Sequence, residues 1–253
     1  MAKLNDITHF LDETFLGLAP QDFSNNGLQL DSGVADVRKM AFAVDACQKT
    51  FDMAAASGAQ LLFVHHGFSW GGGIKYLNGY TGRRVAALMQ GGVSLYASHL
   101  PLDMHPDHGN NAVLCRMLDL QDVKPFFAYH GENIGFFGRF LKPMELSEIA
   151  LIMDEKLHTK SRFFAAADKP MATIGIVSGC GDDAIDECAS LGIDCLLTGE
   201  FRHQCYHHAM EMGVSVIASG HYATETTGVK AIMELIAANF DVETIFLDVP
   251  TGL

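Results

Sequence analysis

Three absences narrow the possibilities for this chain before any motif is considered. The six cysteines (Cys47, Cys115, Cys180, Cys188, Cys195 and Cys205) include no CxxC pair. Most lie in apolar or helical-looking segments, which argues against a disulfide framework or a thiolate metal site and for small buried hydrophobes. No apolar run approaches the roughly 20 residues that a bilayer-spanning helix needs. The opening MAKLNDITHF has no uninterrupted apolar stretch after its lysine, so neither a signal peptide nor a membrane span is expected, and the cytoplasm is the expected compartment. Cationic charge is also scarce: 17 Lys and Arg stand against 30 Asp and Glu, a formal net charge of −13. That balance works against a sequence-independent grip on nucleic acid, which needs several cations facing phosphates, and suits a protein that attracts cations.

What the chain does contain is an α/β rhythm. Ile7, Phe10, Leu11, Thr14 and Phe15 recur at helical spacing behind Asn5, a residue able to cap, and SNNGLQL (24–30) reads as a turn. From Met40 onward, short apolar strands alternate with helices and glycines mark the joints, the pattern of βαβ units with a largely parallel sheet. Sliding the chain along itself reveals an internal repeat. DMAAASGAQLL (52–62) resembles DECASLGIDCL (186–196), and GVSLYASH (92–99) resembles GVSVIASGH (213–221), in the same order. The expectation is an α/β fold of two similar lobes derived from an internal duplication, with mostly parallel sheets flanked by helices. The first lobe covers 1–125 and the second 126–253. Between the repeats lie an apolar, glycine-broken strand (134–141) and an amphipathic helix (146–157).

Ligands of parallel sheets gather beyond the carboxyl ends of the strands, where loops vary while strands hold them still. At those ends the chain places His65 and His66, then His99 with Asp103 four residues on, Glu200, and His221 with Glu225 four residues on. Both repeats thus deliver a histidine and then a carboxylate, HLPLD and HYATE. Imidazole nitrogen and carboxylate oxygen without thiolate form the donor set of zinc, iron, manganese, cobalt or nickel. Two such half-sites plus the HH pair offer more donors than one ion uses, and two divalent ions bridged by a carboxylate, about 3.5–4 Å apart, would use them all. An isolated HH pair is more often a surface or capping feature than a ligand; the shared location at strand ends, twice over, favours ligation. Adjacent strand residues face opposite sides, so His65 and His66 are expected to share a site only if the chain turns, which Gly67 permits.

Other motifs have blander readings. GCGDDA (179–184) matches a dinucleotide-binding loop in form, but Asp182 and Asp183 would put negative charge where a pyrophosphate sits, whereas as first-turn acids they simply favour a helix. Gly71 to Gly73 read as a flexible loop, because no Lys-Ser/Thr pair follows. Phe126, Phe127, Phe136 and Phe137 read as core or subunit contacts.

VHHGFSW (64–70), SHLPLDMHPDHGNN (98–111), TGE (198–200), GHYATE (220–225) and NNGLQ (25–29) together resemble the Nif-three-like dinuclear metal-centre family, whose members carry the name GTP cyclohydrolase I type 2 homologue. The resemblance runs through almost the whole chain. It implies two interlocked α/β lobes, a toroidal homohexamer and a two-metal centre held by His65, His66, Asp103, His221 and Glu225, the last as the bridge. It places His99 in the site as an auxiliary or proton-transfer group and Glu200 and His207 in supporting polar positions, so His99 and Glu200 are the candidate catalytic residues. It gives no role to His203 or His208. The implied activity is metal-dependent hydrolysis of a small molecule or nucleotide, GTP in the family's name; the rival is a non-catalytic metal-binding ring with a regulatory or metal-handling role. No cationic cluster suited to a triphosphate is evident, and Lys75, Arg83 and Arg84 are the nearest cations in sequence.

Overall fold

The computed structural model describes residues 1–19 and 21–253. In chain order the elements begin β1 (Ala2–Lys3), α1 (Leu4–Thr14), β2 (Gly27–Leu30), β3 (Asp36–Val37), β4 (Lys39–Asp45), α2 (Gln48–Ser57), β5 (Leu61–His66), α3 (Gly79–Gly91), β6 (Ser94–Ala97) and α4 (Leu100–Met104). They continue with α5 (Asn110–Met117), β7 (Gln121–Tyr129), β8 (Glu132–Met144), α6 (Leu146–Leu157), β9 (Arg162–Phe164) and β10 (Met171–Val177). The last are α7 (Ile185–Leu191), β11 (Cys195–Thr198), α8 (Tyr206–Met212), β12 (Ser215–Ala218), α9 (His221–Asn239) and β13 (Glu243–Phe246). Two compact units result, one of Met1–Leu102 with Val229–Val249 and one of Asp103–Gly228 with Pro250–Leu253.

The first unit holds a five-stranded sheet, among the described residues, in the order β13-β4-β5-β6-β2. The first four run parallel and β2 closes the edge antiparallel to β6. The stretch expected as a turn at 24–30 is therefore half strand, because Gly27 and Leu28 pair with Ala97 and Tyr96 and satisfy backbone groups that would otherwise form an open edge. Leu62, Val64, Leu95, Ala41 and Ala43 pack against Phe51 and Leu88 on the helices. Helix α1 buries Leu4, Ile7 and Leu11 at helical spacing, but it starts at Leu4 with Lys3 as its N-cap rather than Asn5. The reason is local: Ala2 and Lys3 pair with Val37 and Asp36, and the Leu4 amide donates to the Ala35 carbonyl, which fixes the helix entry earlier.

The second unit holds a six-stranded mixed sheet in the order β7-β8-β10-β11-β12-β9, counted over the described residues. Strands β10, β11 and β12 are parallel, while β8 pairs antiparallel with β10 and β9 with β12. Its core joins Ile149 and Met153 of α6 to Ile174, Ile176, Leu197 and Ile217 of the sheet. The expected amphipathic helix occupies 146–157, opened by a capping box in which Glu145 and Glu148 exchange side-chain to backbone bonds.

The repeat is visible as connectivity: β4-α2-β5-α3-β6 and β10-α7-β11-α8-β12 are the same β-α-β-α-β run. The glycines of the repeated motifs, Gly58, Gly92, Gly192 and Gly213, each end a helix in the left-handed conformation with φ of +77°, +63°, +68° and +75°. A Cβ is disfavoured in that conformation, so glycine there ends the helix and turns the chain into the next strand. Cysteine burial follows expectation only in part: Cys115, Cys188 and Cys195 are buried, Cys47 and Cys205 half-buried, and Cys180 exposed, all six as free thiols. No helix among the described residues is long and apolar enough to cross a membrane.

Candidate metal centre

In the first unit, β5 delivers His65 and His66 and the end of β6 delivers His99. One ring nitrogen from each can be chosen so that all three lie within 4.8 Å of one another, and the ring centroids of His65 lie 4.6 Å from His66 and 5.2 Å from His99. No left-handed turn at Gly67 is needed. Strand β5 extends through His66, and Gly67 matters for close packing: a Cβ there would lie 2.4 Å from the Gln29 amide and 2.7 Å from Ala97 Cβ. Gln29 is itself fixed, its Oε1 accepting the Phe68 amide at 2.9 Å and its Nε2 donating to the Asn25 carbonyl at 2.7 Å.

Each of these rings is oriented from behind. His65 Nδ1 donates to the Ser98 carbonyl at 3.0 Å, and His66 Nδ1 donates to Asp45 Oδ1 at 2.9 Å. A carbonyl and a carboxylate can only accept, so the Nδ1–H tautomer is set in both and Nε2 is the nitrogen that a metal ion would use. His99 Nδ1 donates to Asp22 at 2.9 Å. Asp22 also accepts from the amides of Ser24 and Leu100 and from Asn26 Nδ2. Burial would raise the Asp22 carboxyl, but the hydrogen bonds from His99, Asn26 and Ser24 outweigh it and hold it at about 2. Trp70 stands edge-on to His99 at 5.0 Å and shields that side of the ring.

The second unit, taken by itself, holds a histidine and carboxylates. Helix α9 opens at His221, and Glu225, one turn on, brings Oε1 to 3.1 Å from His221 Nε2. Glu225 is buried, with 4% of its surface exposed. His221 Nδ1 donates to Glu200 Oε1 at 2.5 Å, so Glu200 plays toward His221 the part that Asp45 plays toward His66. Asp103, in α4, is also buried and accepts from Asn110 Nδ2 and Ser178 Oγ, both at 2.9 Å. A buried carboxylate beside an imidazole whose Nδ1 is already committed, as Glu225 is beside His221, fits a divalent cation, because a buried charge requires a counter-charge or a metal. Cys180 is exposed as a residue, and packing around its thiol, with Asp182 next in effect, pushes it up to about 11.

Sequence reasoning missed Asp22 and Asp45. Asp45 pairs with His66 across the β4–β5 register, so the strand pattern held the signal. Asp22 lies in a loop segment, and nothing in its spacing pointed to His99. His207 is exposed on α8 with its ring against Tyr206, and His208 Nε2 bonds Asp186 at 2.7 Å. Arg84 is turned away from anion binding: it donates to the Ala46 carbonyl and stands over the rings of Phe51, Tyr80 and Phe68 at 5.4, 5.9 and 6.0 Å.

Parallel strands flanked by helices, with histidine and carboxylate groups beyond their carboxyl ends, define an α/β protein with candidate cation-binding clusters. Residues 2–252 match the model of the family described as Duf34/NIF3 (NGG1p interacting factor 3), and the chain belongs to that family. It is 45% identical over 251 residues to a Pyrococcus abyssi protein named GTP cyclohydrolase 1 type 2 homolog, covering 98% of each chain. Among solved structures it is similar to protein ybgI, titled as of unknown function, with a TM-score of 0.91, 31% identity and full coverage of both chains. A protein from Thermus thermophilus gives a TM-score of 0.89 at 37% identity, again over the whole of both chains.

Proposed function

We propose that the chain binds two divalent metal ions through His65, His66, Asp103, His221 and Glu225 and acts as a metal-dependent hydrolase. The observation that carries this reading is the shared orientation device: His65, His66 and His221 each commit Nδ1 to an oxygen acceptor, the arrangement that fixes histidines for ligation through Nε2. Glu225 serves as the bridge, because a carboxylate has two oxygens and a full negative charge, whereas a neutral imidazole binds one ion through one nitrogen. Divalent ions held there would supply Lewis acidity and a water made nucleophilic near neutral pH. The chain's own part is to orient the donors, through Asp45, Ser98 and Glu200, and to offer a basic nitrogen for proton movement at His99. Asp22 fixes the tautomer of that ring, so Nε2 is its proton-accepting atom.

The names of the relatives raise GTP as substrate. Arg84, one of three cations near the glycine loop, is already engaged in packing, which favours a smaller substrate or the rival reading of a non-catalytic metal-handling protein. The family resemblance further supports a homohexameric ring.

Elemental analysis of protein prepared without chelator tests the metal site, and a screen of metal-loaded protein against nucleotides, phosphoesters and amides tests the activity. We expect close to two ions per chain in the native protein. In Glu225→Gln the content should fall by more than one ion, and in His66→Ala by about one, with circular dichroism unchanged in both. Native occupancy in Glu225→Gln would remove the bridge assignment. No hydrolysis by a fully loaded protein across the screen would leave the non-catalytic reading.

A further inference from the structure

Immediately after Glu200 the chain lines a separate cleft in the second unit. Phe201, Arg202, His203 and Tyr206 form one side of this half-open cleft of about 240 Å³, and Arg162 and Phe164 of β9 the other. Its position follows from the sheet: β9 pairs antiparallel with β12, setting Arg162 opposite Ala218, at the carboxyl end of the strand that leads to His221. The cleft therefore opens where ligands of parallel sheets are read.

The walls combine aromatic faces with guanidinium groups. Phe164 stands 5.1 Å from Phe201 and 5.7 Å from Tyr206, ring centre to ring centre, the latter edge-on. Arg162 lies over the Phe164 ring at 5.8 Å, and among the described residues no carboxylate pairs with it. Arg202 is pinned instead: its Nε donates to Asp182 at 2.8 Å and its Nη2 to Asp182 and Asp183, so it serves as a rigid wall whose charge is largely offset. Among the described residues no acid lines the cleft, in a chain of net charge −13. An unpaired guanidinium on an aromatic floor suits a carboxylate or phosphate attached to a flat ring, since the fork bonds the anion while the ring stacks. The volume lies below the roughly 300–1,000 Å³ of sites for drug-sized molecules, and it fits a single ring system with one anionic group.

We propose that this cleft binds a small aromatic anion, with Arg162 holding the anionic group and Phe164, Phe201 and Tyr206 holding the ring. Binding there requires no metal ion, so it stands or falls apart from the metal-centre reading.

Isothermal titration of the full-length protein, as isolated and after chelation, with phenyl phosphate and with benzoate tests it and tells a phosphate from a carboxylate preference. Inorganic phosphate and phenol supply the charge and the ring alone. At least one aryl anion should bind more tightly than both controls, equally well after chelation. Arg162→Glu, at an exposed position, should weaken it at least about tenfold, the equivalent of one charge-assisted bond. Tyr206→Ala should weaken the aryl anion while leaving inorganic phosphate unchanged, with circular dichroism confirming the fold of both variants. The proposal is overturned if neither aryl anion binds, if inorganic phosphate or phenol binds as well as the tighter of the two aryl anions, if chelation abolishes binding, or if Arg162→Glu has no effect.

Discussion

Gly179 shows how little room single residues have at this site. Its φ is +62°, and a Cβ there would lie 2.3 Å from Glu225 Oε1 and 3.2 Å from His221 Nε2. Its amide also donates to Thr224 Oγ1 at 3.1 Å, which ties the loop to the first turn of α9. Gly179→Ala would thus combine a left-handed backbone cost of roughly 1–2 kcal/mol with displacement of the Glu225 carboxylate. We expect it to retain the native circular dichroism spectrum and to hold measurably fewer divalent ions per chain by elemental analysis; undiminished occupancy would show that Glu225 does not need its present position. Such contacts escape sequence reading because Gly179 and Glu225 lie far apart in the chain and nothing in a GCG tripeptide specifies what approaches it. The candidate donors were legible as a pattern in the sequence, since histidine and carboxylate recur at matching strand ends, and the ion content of the variants tests whether they ligate. Asp22 was not, because an aspartate in a polar loop looks the same whether or not it meets an imidazole.

Elements were legible where local physics decides them. Helix 146–157 has its capping box and its apolar face in sequence, and the repeated glycines mark helix ends that only a residue tolerant of positive φ can form. Strand β2 was not legible, because what makes Gly27–Leu30 a strand is the edge of β6 and not its own composition. Between β10 and β11 the sheet depends on a half-buried carboxylate. Asp194 accepts from the amides of Ala172 and Thr173, from Thr173 Oγ1 and from Lys169 Nζ. Burial alone would raise this carboxyl, but those donors outweigh it and lower it below its ordinary value. A carboxyl depressed in the folded state adds stability that is present above its unfolded value, near 3.9, and is lost as pH falls through the folded value. Asp194→Ala should therefore cost about 2 kcal/mol at neutral pH, from several lost hydrogen bonds. The gap between variant and native protein in urea-denaturation midpoints should narrow below about pH 4. A gap that is constant with pH would show that the carboxylate charge contributes nothing.

At the scale of the whole molecule, the family resemblance predicts that light scattering at micromolar concentration returns a six-chain mass; a monomer mass would overturn the ring. The order of the strands has a consequence for how the chain is made. Residues 103–228 are continuous, so the six-stranded sheet is complete in a nascent chain well before synthesis ends. The five-stranded sheet is not: its outer strand β13 pairs Glu243 with Lys39 and Phe246 with Phe42, about 200 residues after β4 is made. Until that last segment leaves the ribosome, β4, with Met40, Ala41, Phe42 and Ala43 in its run, presents an unpaired hydrophobic edge of the kind that recruits other strands. The half of the protein translated first is thus the last to be sealed. Premature termination between residues 228 and 243 leaves a chain whose six-stranded sheet is complete and whose five-stranded sheet keeps a sticky edge, a substrate for chaperones or aggregates rather than a shortened but soluble protein.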